Sequence, residues 1–344
     1  MSEAASEPGD PRRARSRIAI RFAIRLALLG GCVALFVRFA DLHSLGNAIR
    51  EMSLATFAIA MLLDWGFYVV ESWRLCRLSL RRYRFMALWR SRMAAGLVTN
   101  VLPGMASGEL LRIFMIDRYR PGNKLYVGLL LLANRVYGLL ALASLFLVAF
   151  AIDRHRLPTL VEAHLVPIVV GCVVVLPTPL LLRIRPVRGA MVRLIRGMRG
   201  RMKRIAYTVF NATSHFCDPT RWALALASST LSNALLIGVF WVTGRAVGAD
   251  LTLTEWAVCL PLAAFASFLP IGFGSIGPQD ATFVVVGKLT GHPIERLLAA
   301  SVLIHVIQIA ATAPGLLYLS ETRAVISDAG RAGLQLARRA RGKR

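Results

Sequence analysis

The sequence predicts an all-α polytopic membrane protein with about six full spans and two broken, re-entrant hairpins, about eight membrane segments arranged as an inverted-topology repeat. Three observations predict it. The chain is 344 residues long, 56% hydrophobic, with a mean hydropathy of +0.58, and several of its runs reach the ~20 residues that cross a ~30 Å hydrocarbon core. Two strings half the chain apart, Leu102-Pro103-Gly104-Met105-Ala106-Ser107-Gly108-Glu109 and Leu269-Pro270 through Gly277-Pro278-Gln279-Asp280, place helix breakers and then an acid inside apolar sequence. Cations fall in acid-free blocks between the apolar runs, the pattern of loops kept on the cytoplasmic side.

Residues 1–17 are polar and then basic and are expected to form a disordered tail. A first span covers Phe22 to Ala40 and a second Leu54 to Trp73, followed by Arg74, Arg77, Arg81, Arg82, Arg84, Arg90 and Arg92 without an acid, a block that marks the cytoplasm. Met93 to Leu102 and Leu110 to Ile116 flank the first break and are each too short to cross, so they form a hairpin dipping in from the cytoplasmic side. Leu125 to Phe150 crosses outward and Leu165 to Leu182 returns, with Pro167, Pro177 and Pro179 kinking or fraying it.

Within the basic linker 183–210, Val187, Met191, Leu194, Ile195, Met198, Met202 and Ile205 recur at helical spacing among nine cations. This is either an amphipathic helix on the anionic inner leaflet or a solvated helical linker. Trp222 to Thr243 crosses outward, Trp256 to Leu289 forms the second broken hairpin, and Leu297 to Leu319 crosses inward to a basic tail, 321–344. The external loops hold five bases and seven acids, against seven and nine bases with no acid in the two internal blocks. Both termini are therefore expected in the cytoplasm of a cell with a cytoplasmic membrane of bacterial type.

The domain 18–320 thus divides into halves of about 54–150 and 221–320 that cross in opposite senses. Asp64 and Asn233, Pro103 and Pro270, Glu109 and Asp280, and Arg135 and His305 are separated by 169, 167, 171 and 170 positions, close to one common offset. Interruptions at matching places in two halves are the sequence pointer to a transporter's binding site.

The intramembrane polar residues are the candidate functional groups. Arg135 lies about ten residues, hence ~15 Å, inside an uncharged run, where an Arg costs at least ~2.5 to 3.5 kcal/mol. It either contacts a ligand or pairs with Asp64, Glu109 or Asp280. Asp64 is equally deep, with Glu71 on the same helical face, and these acids serve either proton or cation coupling or the neutralisation of arginines. Glu109 and Arg112 can meet across one turn of a half-helix whose N-terminal amides suit a phosphate or carboxylate. Asn100 precedes the first break, and Asn233 and His305 lie within spans, where interhelical bonding explains them as well as ligand contact does.

Other chemistry has no support in the sequence. The +24 formal charge is distributed as membrane loops rather than as a nucleic-acid surface. Five scattered cysteines form no CxxC pair and indicate neither a disulfide framework nor a metal site. No HExxH, GxSxG or GxxxxGK(S/T) motif occurs, so neither a catalytic residue nor a cofactor is expected.

Asn100-Val101-Leu102-Pro103 with Gly108-Glu109-Leu110-Leu111-Arg112, then Arg135, then Leu269-Pro270 with the glycines up to Gly277 and Asp280, resemble the transmembrane region of lysylphosphatidylglycerol synthases over roughly residues 20–320. The resemblance implies a flippase-like protein handling a membrane phospholipid or polyprenyl-type lipid along the two hairpins. Arg135, Arg112, Glu109, Asn100 and Asp280 would meet the substrate, and Asp64, Asn233 and His305 would serve coupling or structure. The sequence departs from the family at Asn134, where an acid is usual, and at Gln279-Asp280, where an Arg-Glu pair is usual. A soluble aminoacyl-transferring domain is not expected after Arg344. A non-transporting scaffold for an envelope-lipid or glycan biosynthesis enzyme is the alternative.

Overall fold

The computed structural model describes residues 52–80, 82–101, 105–153, 185–216, 218–266 and 278–318. The expected spans Phe22 to Ala40 and Leu165 to Leu182, both tails and the tips of both hairpins lie outside these residues. Among the described residues the chain is helical throughout, with α1 (Leu54–Leu78), α2 (Phe85–Val101), α3 (Met105–Tyr119), α4 (Lys124–Ile152), α5 (Arg185–Gly197), α6 (Gly200–Phe216), α7 (Pro219–Ala246), α8 (Leu253–Ala266), α9 (Pro278–Thr290), α10 (Ile294–Thr312) and a 3-10 turn, Ala313–Tyr318. Four helices, α1, α4, α7 and α10 with its 3-10 extension, are long and apolar enough to cross a membrane.

Local chemistry places the helix starts. Ser53 caps α1 by accepting from the Thr56 amide at 3.1 Å, and Pro219 opens α7 at a position where its missing N–H costs nothing. Helix α1 runs five residues past the expected end, so Arg74 and Arg77 belong to the helix rather than to a loop. Helix α2 starts at Phe85 rather than Met93 and carries Arg90 and Arg92. The hairpin arms are therefore 17 and 15 residues, about 25 and 22 Å long. The amphipathic linker is two helices instead of one, separated at Gly200, whose φ of +60° is a left-handed value that glycine adopts without strain.

Each half presents a long helix, two short helices and a second long helix, and the two halves pack with matched partners. Contacts of α1 with α2 are repeated by α7 with α8, α2 with α3 by α8 with α9, and α3 with α4 by α9 with α10. Across the halves, α4 meets α7 and α8 as α10 meets α1 and α2, while α1 and α7 form the central seam. The main core gathers Phe146, Phe240, Trp256, Phe283 and Leu303 at this junction, with Phe240, Trp256 and Phe283 in mutual edge-to-face contact. A smaller core under α1, α3 and α4 receives Ala212 and Phe216 of α6, and the Tyr137 hydroxyl donates to the Phe216 carbonyl at 2.6 Å. The end of the linker is thus docked on the helical body, while Leu194 and Met202 remain more than 60% exposed.

Two glycines permit close approaches. A Cβ at Gly108 would collide with the Thr99 hydroxyl and sit 2.8 Å from the Ala95 carbonyl, so glycine lets α2 and α3 lie tightly together. A Cβ at Gly315 would lie 2.5 Å from the Met93 carbonyl oxygen. Gly315→Val is expected to lower stability by about 1–3 kcal/mol, read as a lower midpoint of unfolding in detergent, and an unchanged midpoint would show that the 3-10 segment does not pack against α2 in this way.

Candidate functional site

The seam between the halves opens into a cavity of about 310 Å³, within the size range of small-ligand sites. Its polar wall carries Asp64, Glu71 and Arg74 from α1, Arg92 and Asn100 from α2, Glu109 and Arg112 from α3, Asn134 and Arg135 from α4, with Asn233 from α7, Gln279 from α9 and Gln308 from α10. Its apolar wall is built from Phe67, Leu139, Leu142, Leu236, Phe240 and Leu260. Apolar faces of helices that would otherwise meet lipid are thus interrupted by one concentrated polar patch.

Glu71 is the centre of that patch. Its carboxylate accepts from Arg92 Nε at 2.6 Å, Arg112 Nη1 at 3.1 Å and Asn134 Nδ2 at 3.0 Å, tying α1 to α2, α3 and α4. Arg74, one turn on, donates to Asn134 Oδ1 at 2.7 Å and to the Ser229 and Ser232 hydroxyls at 2.6 and 3.3 Å, which carries the network across to α7. Asn134 serves both charges because an amide has a donor for Glu71 and an acceptor for Arg74. An ionised acid at this position could face only the arginine.

Glu109 pairs with Arg135 at 2.8 Å and lies 3.6 Å from Arg112, so of the three acids that could pair with Arg135 it is Glu109 that lies at ion-pair distance. Arg112 is 1% exposed, yet its Nε and Nη2 have no partner, and neither has Glu109 Oε2. Asp64 is fully buried, with no cation at ion-pair distance and the Tyr68 hydroxyl beside it. Asn100 reaches Thr312 at 3.4 Å and Asn233 donates to the Gly138 carbonyl at 2.9 Å.

Asp280 departs from the expected arrangement. It accepts a hydrogen bond from Ser301 and lies 3.5 Å from His305, on the α9–α10 contact, while Gln279 faces the cavity instead. The pair nevertheless has a counterpart. Glu109 with Arg135 in the first half and Asp280 with His305 in the second occupy positions 171 and 170 residues apart, and each joins the second short helix to the second long helix of its half.

Arg74, Arg92 and the bridging role of Asn134 were not found from sequence. Both arginines sat in a block that reads as cytoplasmic, whereas Arg74 is 4% exposed and Arg92 donates into the membrane-depth cluster. The available signals were the Glu71–Arg74 spacing of one turn and the place of Arg92 immediately before the apolar run from Met93. No group of three or more His, Cys, Asp or Glu side chains that could hold a metal occurs among the described residues.

Among the described residues, four long apolar helices packed with shorter ones around a charged cavity define a polytopic helical membrane protein. The chain belongs to the family described as lysylphosphatidylglycerol synthase TM region, whose model matches residues 22–315, so it is a membrane protein of lipid-related processes. No curated protein and no solved structure matches the chain.

Proposed function

We propose that this protein is a flippase-like transporter that takes the phosphate-bearing headgroup of a lipid or lipid-linked substrate into the cavity between its two halves, with the acyl or prenyl chains in the bilayer. The observation that carries this reading is the surplus of buried donors. Four guanidinium groups face two paired carboxylates, Glu71 and Glu109, leaving two positive charges beyond that pairing, and two donors of the buried Arg112 have no acceptor. Buried donors without partners are costly and rare in native proteins, and a phosphate oxygen satisfies them with charge-assisted bonds. Arg112, Arg135, Glu109 and Asn100 would contact the headgroup, and Asp280 would act with His305 away from it.

The halves are read as an inverted repeat with both termini on the cytoplasmic side of a bacterial inner membrane. The matched contacts and the equivalent Glu109–Arg135 and Asp280–His305 pairs support that reading, and rocking of one half against the other would alternate access. The exposed Leu194, Arg193 and Arg196 of α5 suit an anionic leaflet, where each cation near the surface contributes about 1 kcal/mol.

In proteoliposomes the protein is expected to move acyl-NBD-phosphatidylglycerol between leaflets, followed by dithionite quenching, and to leave phosphate-free NBD-glucosylceramide in place. Equal movement of both lipids would remove phosphate recognition from the reading. Movement of neither would favour the scaffold, for which the exposed basic helices α5 and α6 are the recruiting surface.

A further inference from the structure

Asp64 has no role in holding the charge cluster together. It is eleven residues into the 25-residue helix α1, fully buried, and lines the cavity. Every other acid of that wall is in an ion pair, Glu71 with Arg92 and Arg112 and Glu109 with Arg112 and Arg135. Asp64 has no cation within ion-pair distance, and the hydrogen-bonding group beside its carboxyl is the Tyr68 hydroxyl, one turn along the same helix. An ionised carboxylate held unpaired at this depth is strongly disfavoured, and a carboxylic acid is the form that such a site stabilises.

The groups around it set the sign of its response to charge. Tyr68, Glu71 and Arg74 lie on its own helix, Arg92 approaches from α2, Glu109 and Arg112 stand on α3 and Arg135 on α4. The polar cavity residues contributed by α7 and α10, Ser232, Asn233 and Gln308, do not titrate. The arginines keep positive charge beyond their pairing with Glu71 and Glu109, so an anion that binds them offsets that charge and favours the protonated form of Asp64. By linkage, a proton on Asp64 favours anion binding to the same degree.

We infer that Asp64 is a proton-binding site that loads together with an anionic headgroup, one proton for each single negative charge, so that the two cross as an electroneutral pair. The inference rests on the proposed headgroup cavity. The proton that Asp64 takes from one aqueous side during loading is released on the other side when the headgroup leaves, and the empty carrier returns with Asp64 deprotonated.

The test uses the full chain in phosphatidylcholine vesicles containing acyl-NBD-phosphatidylglycerol. For one-to-one coupling, a pH gradient of one unit drives a tenfold leaflet asymmetry of the labelled lipid, with accumulation on the side of higher pH, and a potassium diffusion potential has no effect. In Asp64→Asn, which fixes the neutral form, labelled lipid is expected to ignore the pH gradient and to follow the imposed potential. Its apparent affinity for the labelled lipid is expected to be locked near the wild type's low-pH value, which lies about 5- to 150-fold above the high-pH value. Wild-type protein that moves the lipid with a distribution indifferent to the pH gradient overturns the proton site and leaves the headgroup cavity standing. Wild-type protein that moves no phosphatidylglycerol overturns the cavity's assignment and the proton site with it. The wild-type gradient measurement decides the matter even if Asp64→Asn does not fold.

Discussion

Arg135→Ala is expected to lower the rate of phosphatidylglycerol movement about 10- to 150-fold while the protein remains folded. The range follows from the loss of a charge-assisted hydrogen bond of about 1.5–3 kcal/mol, each 1.36 kcal/mol being a factor of ten in rate. Folding survives because the side chain is 37% exposed and makes one ion pair, with Glu109, which keeps Arg112 at 3.6 Å. The cavity therefore loses its most accessible guanidinium without leaving a carboxylate far from a cation. Arg135→Lys is expected to recover part of the rate, since an ammonium restores charge but not the planar fork that grips two phosphate oxygens. The check is the initial rate of dithionite-protected label appearing in the opposite leaflet, on protein whose elution and unfolding midpoint match the wild type. A rate within threefold of wild type would remove Arg135 from the headgroup site.

Glu71→Ala is expected to do the opposite, removing the folded protein rather than a single contact. The Glu71 carboxylate accepts from three elements at 2.6 to 3.1 Å, and its loss leaves Arg92, Arg112 and Asn134 facing one another at membrane depth. Removing one partner of a buried pair typically costs about 3–5 kcal/mol, because the remaining charge stays buried and uncompensated. Glu71→Gln should fall between, keeping an acceptor and losing the charge. Arg92→Met should be milder than Glu71→Ala, since Arg112 and Asn134 still neutralise the acid. The measurements are recovery of monodisperse protein and the unfolding midpoint in detergent. A Glu71→Ala protein as stable as wild type would mean that the cluster is solvated rather than buried.

Together these variants separate two roles within one patch. Glu71, Arg92, Arg74 and Asn134 are linked by hydrogen bonds among themselves, and through Arg74 to Ser229 and Ser232, which positions the helices. Arg112 and Arg135 retain unpaired donors or exposed surface, and Asp64 retains a carboxyl group with no cationic partner. The proposed recognition and proton uptake rest on the second group, while the first makes the cavity rigid enough to present them.

Much of the helix order was legible because hydropathy and helix breaking act locally. A run of apolar residues is a helix in a membrane irrespective of its partners, since its backbone must satisfy itself, and Pro with Gly interrupts any helix it enters. The expected segments at 54–73, 125–150, 222–243 and 297–319 accordingly recur as α1, α4, α7 and α10 within a few residues, and the two hairpins as paired short helices. The near-constant offset also carried information about contacts, for Glu109 with Arg135 and Asp280 with His305 became equivalent pairs.

Composition, helical content, membrane character and the family were therefore determined by the sequence alone, as was the short-range Glu109–Arg112 approach, because each depends on residue type or on separation by one turn. Which acid meets which cation was decided by the tertiary structure. An arginine after an apolar run has the same local signature whether it lies in cytoplasmic water or is drawn inward by a carboxylate. Only the packing of α1 against α2, α3, α4 and α7 distinguishes Arg74 and Arg92 from the loop cations around them. The same packing turned Asp280 toward Ser301 and His305 and left Asp64 without a cation in the cavity wall, a result set by three-dimensional distance that no spacing along the chain encodes.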